Sequence, residues 1–217
     1  MTKPTPVAVT FGDIHLQGLL RVPRDARGIV LFAHGSGSGR LSPRNNFVAE
    51  QLGKAGLATL LFDLLTAEEE EIDEQTAELR FDIPLLTERL VAATEWARKE
   101  PTLRKFPVGY FGASTGAAAA LMAAARIPDI AAVVSRGGRP DLAGAALPEV
   151  RAPTLLIVGG DDDQVIVLNR QAQARMTCEV KLEIVPGATH LFVEPGTLEQ
   201  VAALAAGWFA SHMRPQR

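Results

Sequence analysis

Apolar residues in this chain follow three rhythms. Near the start, Val7–Phe11 and Ile14–Val22 alternate loosely with polar residues and flank Gly12-Asp13. That dipeptide favours the tight turn of an antiparallel hairpin. Further on come Ile29–Ala33, Leu57–Asp63, Val108–Phe111, Ile130–Ser135, Thr154–Val158 and Val180–Val185. Several of these are apolar on consecutive positions, the pattern of strands buried on both faces in a parallel sheet. Between the runs the spacing turns helical. The predicted helices are Asn46–Lys54, which ends near Gly56; Ile83–Lys99, capped by Asp82 with Pro84 in its first turn; Thr115–Arg126, which stops before Pro128; Val165–Arg175; and Leu198–His212. A hairpin followed by repeated β-α units predicts an α/β class fold: a mainly parallel sheet with helices on both faces.

The acidic run Glu68–Glu71, with Asp73 and Glu74, lies between the fourth strand and the long helix and reads as a solvated loop or a fraying helical turn. No internal repeat or linker divides the chain, so residues 1–217 are expected to form one domain.

Composition narrows the setting. Apolar residues make up 47% of the chain, enough for a sizeable core, and the net charge of -3 offers no clustered basic surface for nucleic acid. The single cysteine, Cys178, excludes an intrachain disulfide and fits a reducing compartment. The first residues lack a basic segment followed by an apolar one. The longest apolar stretch, Ala117–Ala125, is far short of the roughly 20 residues that cross a bilayer. A soluble, cytoplasmic protein without nucleic-acid or membrane partners is expected.

Gly112-Ala113-Ser114-Thr115-Gly116 fits G-x-S-x-G, with a strand entering it and an alanine-rich helix leaving it. A nucleophile elbow needs that strand–turn–helix context, and small flanking residues let Ser114 point its hydroxyl above the sheet. A nucleophilic serine needs a base. Of the four histidines, His15 lies inside a strand pattern and His212 near a helix end, both structural positions; His34 opens a glycine loop; His190 follows the last strand, where a base can lean over the sheet edge. The orienting carboxylate is sought in Asp161-Asp162-Asp163, after the next-to-last strand. One or two of these aspartates should cap the following helix, and a cation site there lacks accompanying His or Cys ligands. The chain order is then Ser114, Asp162 or a neighbour, and His190.

His34-Gly35-Ser36-Gly37-Ser38-Gly39-Arg40 also invites a phosphate-loop reading. Arg40 stands where a last glycine would be needed, and no P-loop lysine follows. The loop instead suits an oxyanion hole: the Thr115 N–H is one donor and the Ser36 N–H the second, with Gly37 the alternative. Arg136 and Arg139, just past the sixth strand, and Arg40 are candidates to pair with a substrate carboxylate.

With His34-Gly35-Ser36-Gly37, the elbow 112–116, Gly160-x-Asp162-x-x-Val165 and Gly187-Ala188-Thr189-His190 in place, the chain resembles the α/β-hydrolase superfamily, and within it the dienelactone-hydrolase-like group. The resemblance covers nearly the whole chain. It implies the α/β-hydrolase fold, with an eight-stranded sheet and an N-terminal antiparallel hairpin, and it favours Asp162 as the triad acid. The short span from Ser135 to Thr154, rich in glycine and proline, can hold a small helix around Leu142–Ala146 but no cap domain. Dienelactone hydrolases proper carry cysteine at the elbow, where this chain has Ser114. The reading is therefore a serine esterase acting on small carboxylic esters without a cofactor or metal. A non-catalytic binding protein, a dienelactone or thioester hydrolase and a nucleotide-binding module are the alternatives.

Overall fold

The Gly12-Asp13 turn joins β1 (Thr5–Phe11) to β2 (Ile14–Arg21) in the expected antiparallel hairpin. In the computed structural model, which describes residues 3–213, the later apolar runs become β3 (Ile29–Ala33), β4 (Ala58–Phe62), β5 (Val108–Ala113), β6 (Ala132–Arg136), β7 (Thr154–Gly159) and β8 (Val180–Val185). They form one eight-stranded sheet in the order β1-β2-β4-β3-β5-β6-β7-β8. The strands β3 to β8 pair in parallel, and β2 joins β4 antiparallel.

Every residue of β3, β4, β5, β6 and β7 is buried. That explains the consecutive apolar positions. Within β3, Ile29, Leu31 and Ala33 enter one core, while Val30 and Phe32 enter the other. The first core is covered by α3 (Ile83–Lys99), α4 (Thr115–Arg126) and the end of α5 (Asp163–Gln173); the second lies under α1 (Pro43–Lys54) and α6 (Thr197–His212).

Two segments differ from expectation. The helix α1 begins three residues before Asn46, because the Asn45 N–H donates to Ser42 Oγ (3.3 Å) and Pro43 presets the first turn. The acidic run is neither a loop nor a fraying turn but a ten-residue helix, α2 (Ala67–Thr76). Thr66 and Glu69 close a capping box at its start, and Glu69 also pairs with Arg89 of α3. Asp73, only 2% exposed, takes hydrogen bonds from the Arg80 N–H (2.9 Å) and Nε (2.6 Å). Burial pushes the Asp73 carboxyl up, but the bonds from Arg80 outweigh it and hold it below the usual carboxylate range.

Between β6 and β7 there is room only for a 3₁₀ segment, Pro140–Glu149, kinked at Gly144 and overlapping the small helix expected at Leu142–Ala146. No cap covers the carboxyl edge of the sheet among the described residues. None of their helices is long and apolar enough to cross a membrane.

Candidate active site

Ser114 sits between β5 and α4 with φ 50° and ψ −122°. A non-glycine residue pays of order 1–3 kcal/mol for such a backbone, so its surroundings must enforce it. The Ser114 N–H donates to the Arg136 carbonyl (3.3 Å), and the Ser114 carbonyl accepts from the N–H groups of Ala117 (3.1 Å) and Arg139 (3.0 Å). Gly116 closes the turn from the other side. A Cβ there would lie 2.1 Å from the Ala33 carbonyl oxygen and 2.4 Å from that of His34, so only glycine lets the end of β3 press against the first turn of α4. Gly35 does the same at the hydroxyl side, where a Cβ would meet Ser114 Cβ at 2.9 Å.

The glycine loop therefore lies directly against the elbow. The Ser36 N–H donates to Thr115 Oγ1 at 3.0 Å, which ties the loop to the residue after Ser114. The Thr115 N–H belongs to the first turn of α4, where a helix offers no internal acceptor. His34 braces the loop from below. Its Nε2 accepts from the Leu64 N–H (3.0 Å), so its Nδ1 carries the proton and donates to the Gly35 carbonyl (3.0 Å). Burial pushes its pKa below the ordinary histidine value, against the Gly35 bond and the nearby Asp63 charge.

His190 and Asp162 come together from loops 28 residues apart, with His190 Nδ1 2.7 Å from Asp162 Oδ2. The carboxylate can only accept, so Nδ1 carries the proton and Nε2 is left as the basic nitrogen. Asp162 stands at the position that would cap α5, but its side chain makes no capping bond. The expectation that one or two of the aspartates cap this helix is corrected here. Asp162 turns to His190, and α5 begins at Asp163 without a side-chain cap. The His190 loop is fixed by Glu194, which accepts from the N–H (3.1 Å) and hydroxyl (2.6 Å) of Thr189.

Gly137, which sequence reasoning passed over, links the two halves. It has φ 51°, and a Cβ there would lie 3.0 Å from the His190 carbonyl oxygen and 3.6 Å from His190 Cε1. The segment 136–139 thus holds Ser114 by its backbone and touches His190 at the same time. The glycine pair at 137–138 directly after a strand was the available signal.

The three candidate arginines separate. Arg40 is paired with Asp63. Arg139 forms a two-pronged pair with Asp141 (2.9 and 2.8 Å). Arg136 is buried with no carboxylate partner among the described residues. His15 bonds Thr10 Oγ1 and His212 bonds the Trp208 carbonyl, both apart from the site. No group of three or more His, Cys, Asp or Glu side chains among the described residues is arranged to hold a metal ion.

A serine held at positive φ between a strand and a helix, a glycine loop pressed against it, and a His–Asp pair at the carboxyl edge of this strand order define an α/β-hydrolase. The sequence profile of the Dienelactone hydrolase family matches residues 16–211, and the chain belongs to that family. It is 58% identical to a dienelactone hydrolase from Anabaena variabilis, whose crystal structure superposes with a TM-score of 0.96 over 98% of this chain and 99% of that one. It is also 58% identical, over 95% of its length, to a Mycobacterium tuberculosis protein named "Putative phosphoribosyl transferase", of which it spans 46%. Est1E from Butyrivibrio proteoclasticus shares the fold, with a TM-score of 0.79 at 16% identity over 95% of this chain and 98% of that one.

Proposed function

We propose that this chain is a serine hydrolase that cleaves small carboxylic esters through a covalent acyl-enzyme. The observation that carries the reading is the 2.7 Å bond between His190 Nδ1 and Asp162 Oδ2, which leaves Nε2 free to serve as a base for the strained Ser114. In the first step His190 Nε2 takes the Ser114 proton as Oγ attacks the ester carbonyl. The Thr115 N–H and the Ser36 N–H receive the developing oxyanion, which replaces Thr115 Oγ1 as the acceptor for Ser36. Asp162 stabilises the imidazolium without taking its proton. The tetrahedral adduct collapses, the C–O bond to the alcohol breaks, and His190 returns the proton to the leaving oxygen. Water, deprotonated by His190, then attacks the acyl-serine, and the acid leaves with Ser114 restored.

No step calls for a metal or a redox cofactor, because the charge that develops on the carbonyl oxygen is met by backbone N–H groups. The test is labelling by a fluorophosphonate serine-hydrolase probe together with turnover of p-nitrophenyl acetate. Wild type should show both and Ser114→Ala neither. A folded wild-type protein that neither labels nor turns over ester would favour the non-catalytic binding reading.

A further inference from the structure

Arg136 is a buried charge with no carboxylate partner among the described residues. It is 6% exposed, its Nε has no hydrogen-bond partner among the described residues, and its side-chain hydrogen bond there is a long 3.5 Å one from Nη2 to Asn45 Oδ1. A buried guanidinium without a counter-charge is costly. The chain adds to the cost, because the neighbouring charge is Arg44, whose Nε is also buried without a partner. Burial and Arg44 together push the Arg136 pKa down to about 10, so it stays charged at neutral pH.

Both side chains meet at the start of α1, where Arg44 and Asn45 lie in the first turn. The Asn45 N–H is taken by Ser42 Oγ, and the helix itself offers the Arg44 N–H no acceptor. The ring of Phe192, two residues after His190, lies 5.9 Å from the Arg136 guanidinium and closes the far side. Around Arg136, a second arginine, a helix N-terminus and an aromatic ring, with no carboxylate partner among the described residues, make an anion site in composition. Arg44 also lines an open cleft of about 1060 Å³ that reaches Ser36 and Gly37 of the glycine loop; its carboxylates, Asp13, Asp63, Glu68 and Glu70, belong to other parts of the lining, and Arg136 lies behind Arg44 rather than in the cleft wall.

We propose that Arg136, Arg44 and the first turn of α1 form a binding site for a phosphate group. Two guanidinium charges and a helix end exceed what a single carboxylate neutralises, whereas a phosphate monoester is close to doubly charged at neutral pH and offers three acceptor oxygens. As a substrate subsite the site rests on the hydrolase reading, the ester lying at Ser114 and its phosphate at Arg44 and Arg136. As a site for free phosphate it does not.

The experiment is thermal unfolding of the wild-type chain, Arg44→Met and Arg136→Met in inorganic phosphate, against sodium chloride of equal ionic strength. At ten times its Kd, phosphate should raise the wild-type Tm by about 3–5 °C, and either substitution should remove the rise. Arg44 is partly exposed, so Arg44→Met decides the matter if Arg136→Met does not fold. No rise in wild type, or an equal rise in wild type and Arg44→Met, would overturn the proposal. A second arm compares an ester carrying a phosphate group with its uncharged counterpart. A KM raised about tenfold by Arg44→Met for the phosphorylated ester alone assigns the site to substrate. Loss of phosphate binding with equal KM for both esters assigns it to free phosphate. If wild type binds phosphate yet cleaves no ester, the site stands and the hydrolase reading fails.

Discussion

The Ser36 N–H points at the Thr115 hydroxyl, 3.0 Å away across 79 residues of sequence. The same bond brings the two proposed oxyanion donors, the N–H groups of Ser36 and Thr115, to one spot beside Ser114. The hydroxyl therefore anchors the proposed donor loop. Thr115→Val should lower kcat for p-nitrophenyl acetate by about tenfold, less than the 100- to 1,000-fold cost of deleting a donor outright, and Thr115→Ser should restore it. Wild-type kcat in Thr115→Val would remove the anchor from the mechanism.

The bond between His190 and Asp162 predicts a sharp ranking among three adjacent aspartates. Asp162→Asn should cost up to roughly 10⁴ in kcat, because an amide holds the imidazole in the wrong tautomer. Asp161→Asn and Asp163→Asn should stay within about threefold of wild type, since neither side chain reaches His190 and surface changes of this kind are small. Equal losses at all three positions would refute the assignment. Ser114→Ala should abolish turnover and keep a cooperative unfolding transition, since it relieves no buried hydrogen bond.

Gly116 has no room for a side chain. A methyl group there would sit 2.1 Å from one backbone oxygen and 2.4 Å from another, and neither atom is the flexible end of a side chain. Gly116→Ala should destabilise the protein by at least about 3 kcal/mol in urea unfolding, at the upper end of overpacking costs. A change below about 1 kcal/mol would show that β3 and α4 are free to separate.

His34 predicts a pH dependence of stability. Its folded pKa is held below the ordinary 6.5 by burial. Near pH 6.5 the unfolded chain therefore takes up a proton that the folded chain does not. The stability tied to this group is full above pH 6.5 and is lost as the pH falls from there towards the folded value. Urea unfolding from pH 7.5 to 5.5 should show a steeper loss in wild type than in His34→Gln; parallel slopes would contradict the buried neutral form.

With only a short 3₁₀ segment between β6 and β7, the cleft above Ser114 has no roof among the described residues. Each methylene fully buried is worth roughly 0.8 kcal/mol, and an open cleft buries few. The p-nitrophenyl acetate and butyrate esters should have higher kcat/KM than the decanoate and palmitate. A preference for palmitate would contradict the open, shallow cleft.

The sequence by itself determined what short spacing encodes. Consecutive apolar positions marked β3 to β7, because a strand covered on both faces has no polar side. Gly112-x-Ser114-x-Gly116 between a strand and a helix marked the elbow, because a sharp turn there needs small neighbours. The Thr66-x-x-Glu69 capping box was legible in the same way, though its helix was passed over in favour of the acidic charges around it. What the tertiary structure decided are the pairings that depend on strand order. Arg40 and Arg139 look like Arg136 in the sequence, yet two of the three find carboxylates and one is left beside Arg44. Likewise Gly137 was an ordinary loop glycine until β6, lying between β5 and β7, brought it against His190. The physical reason is that a residue's chemistry travels with the chain, whereas its partners are chosen by which strands the sheet sets side by side.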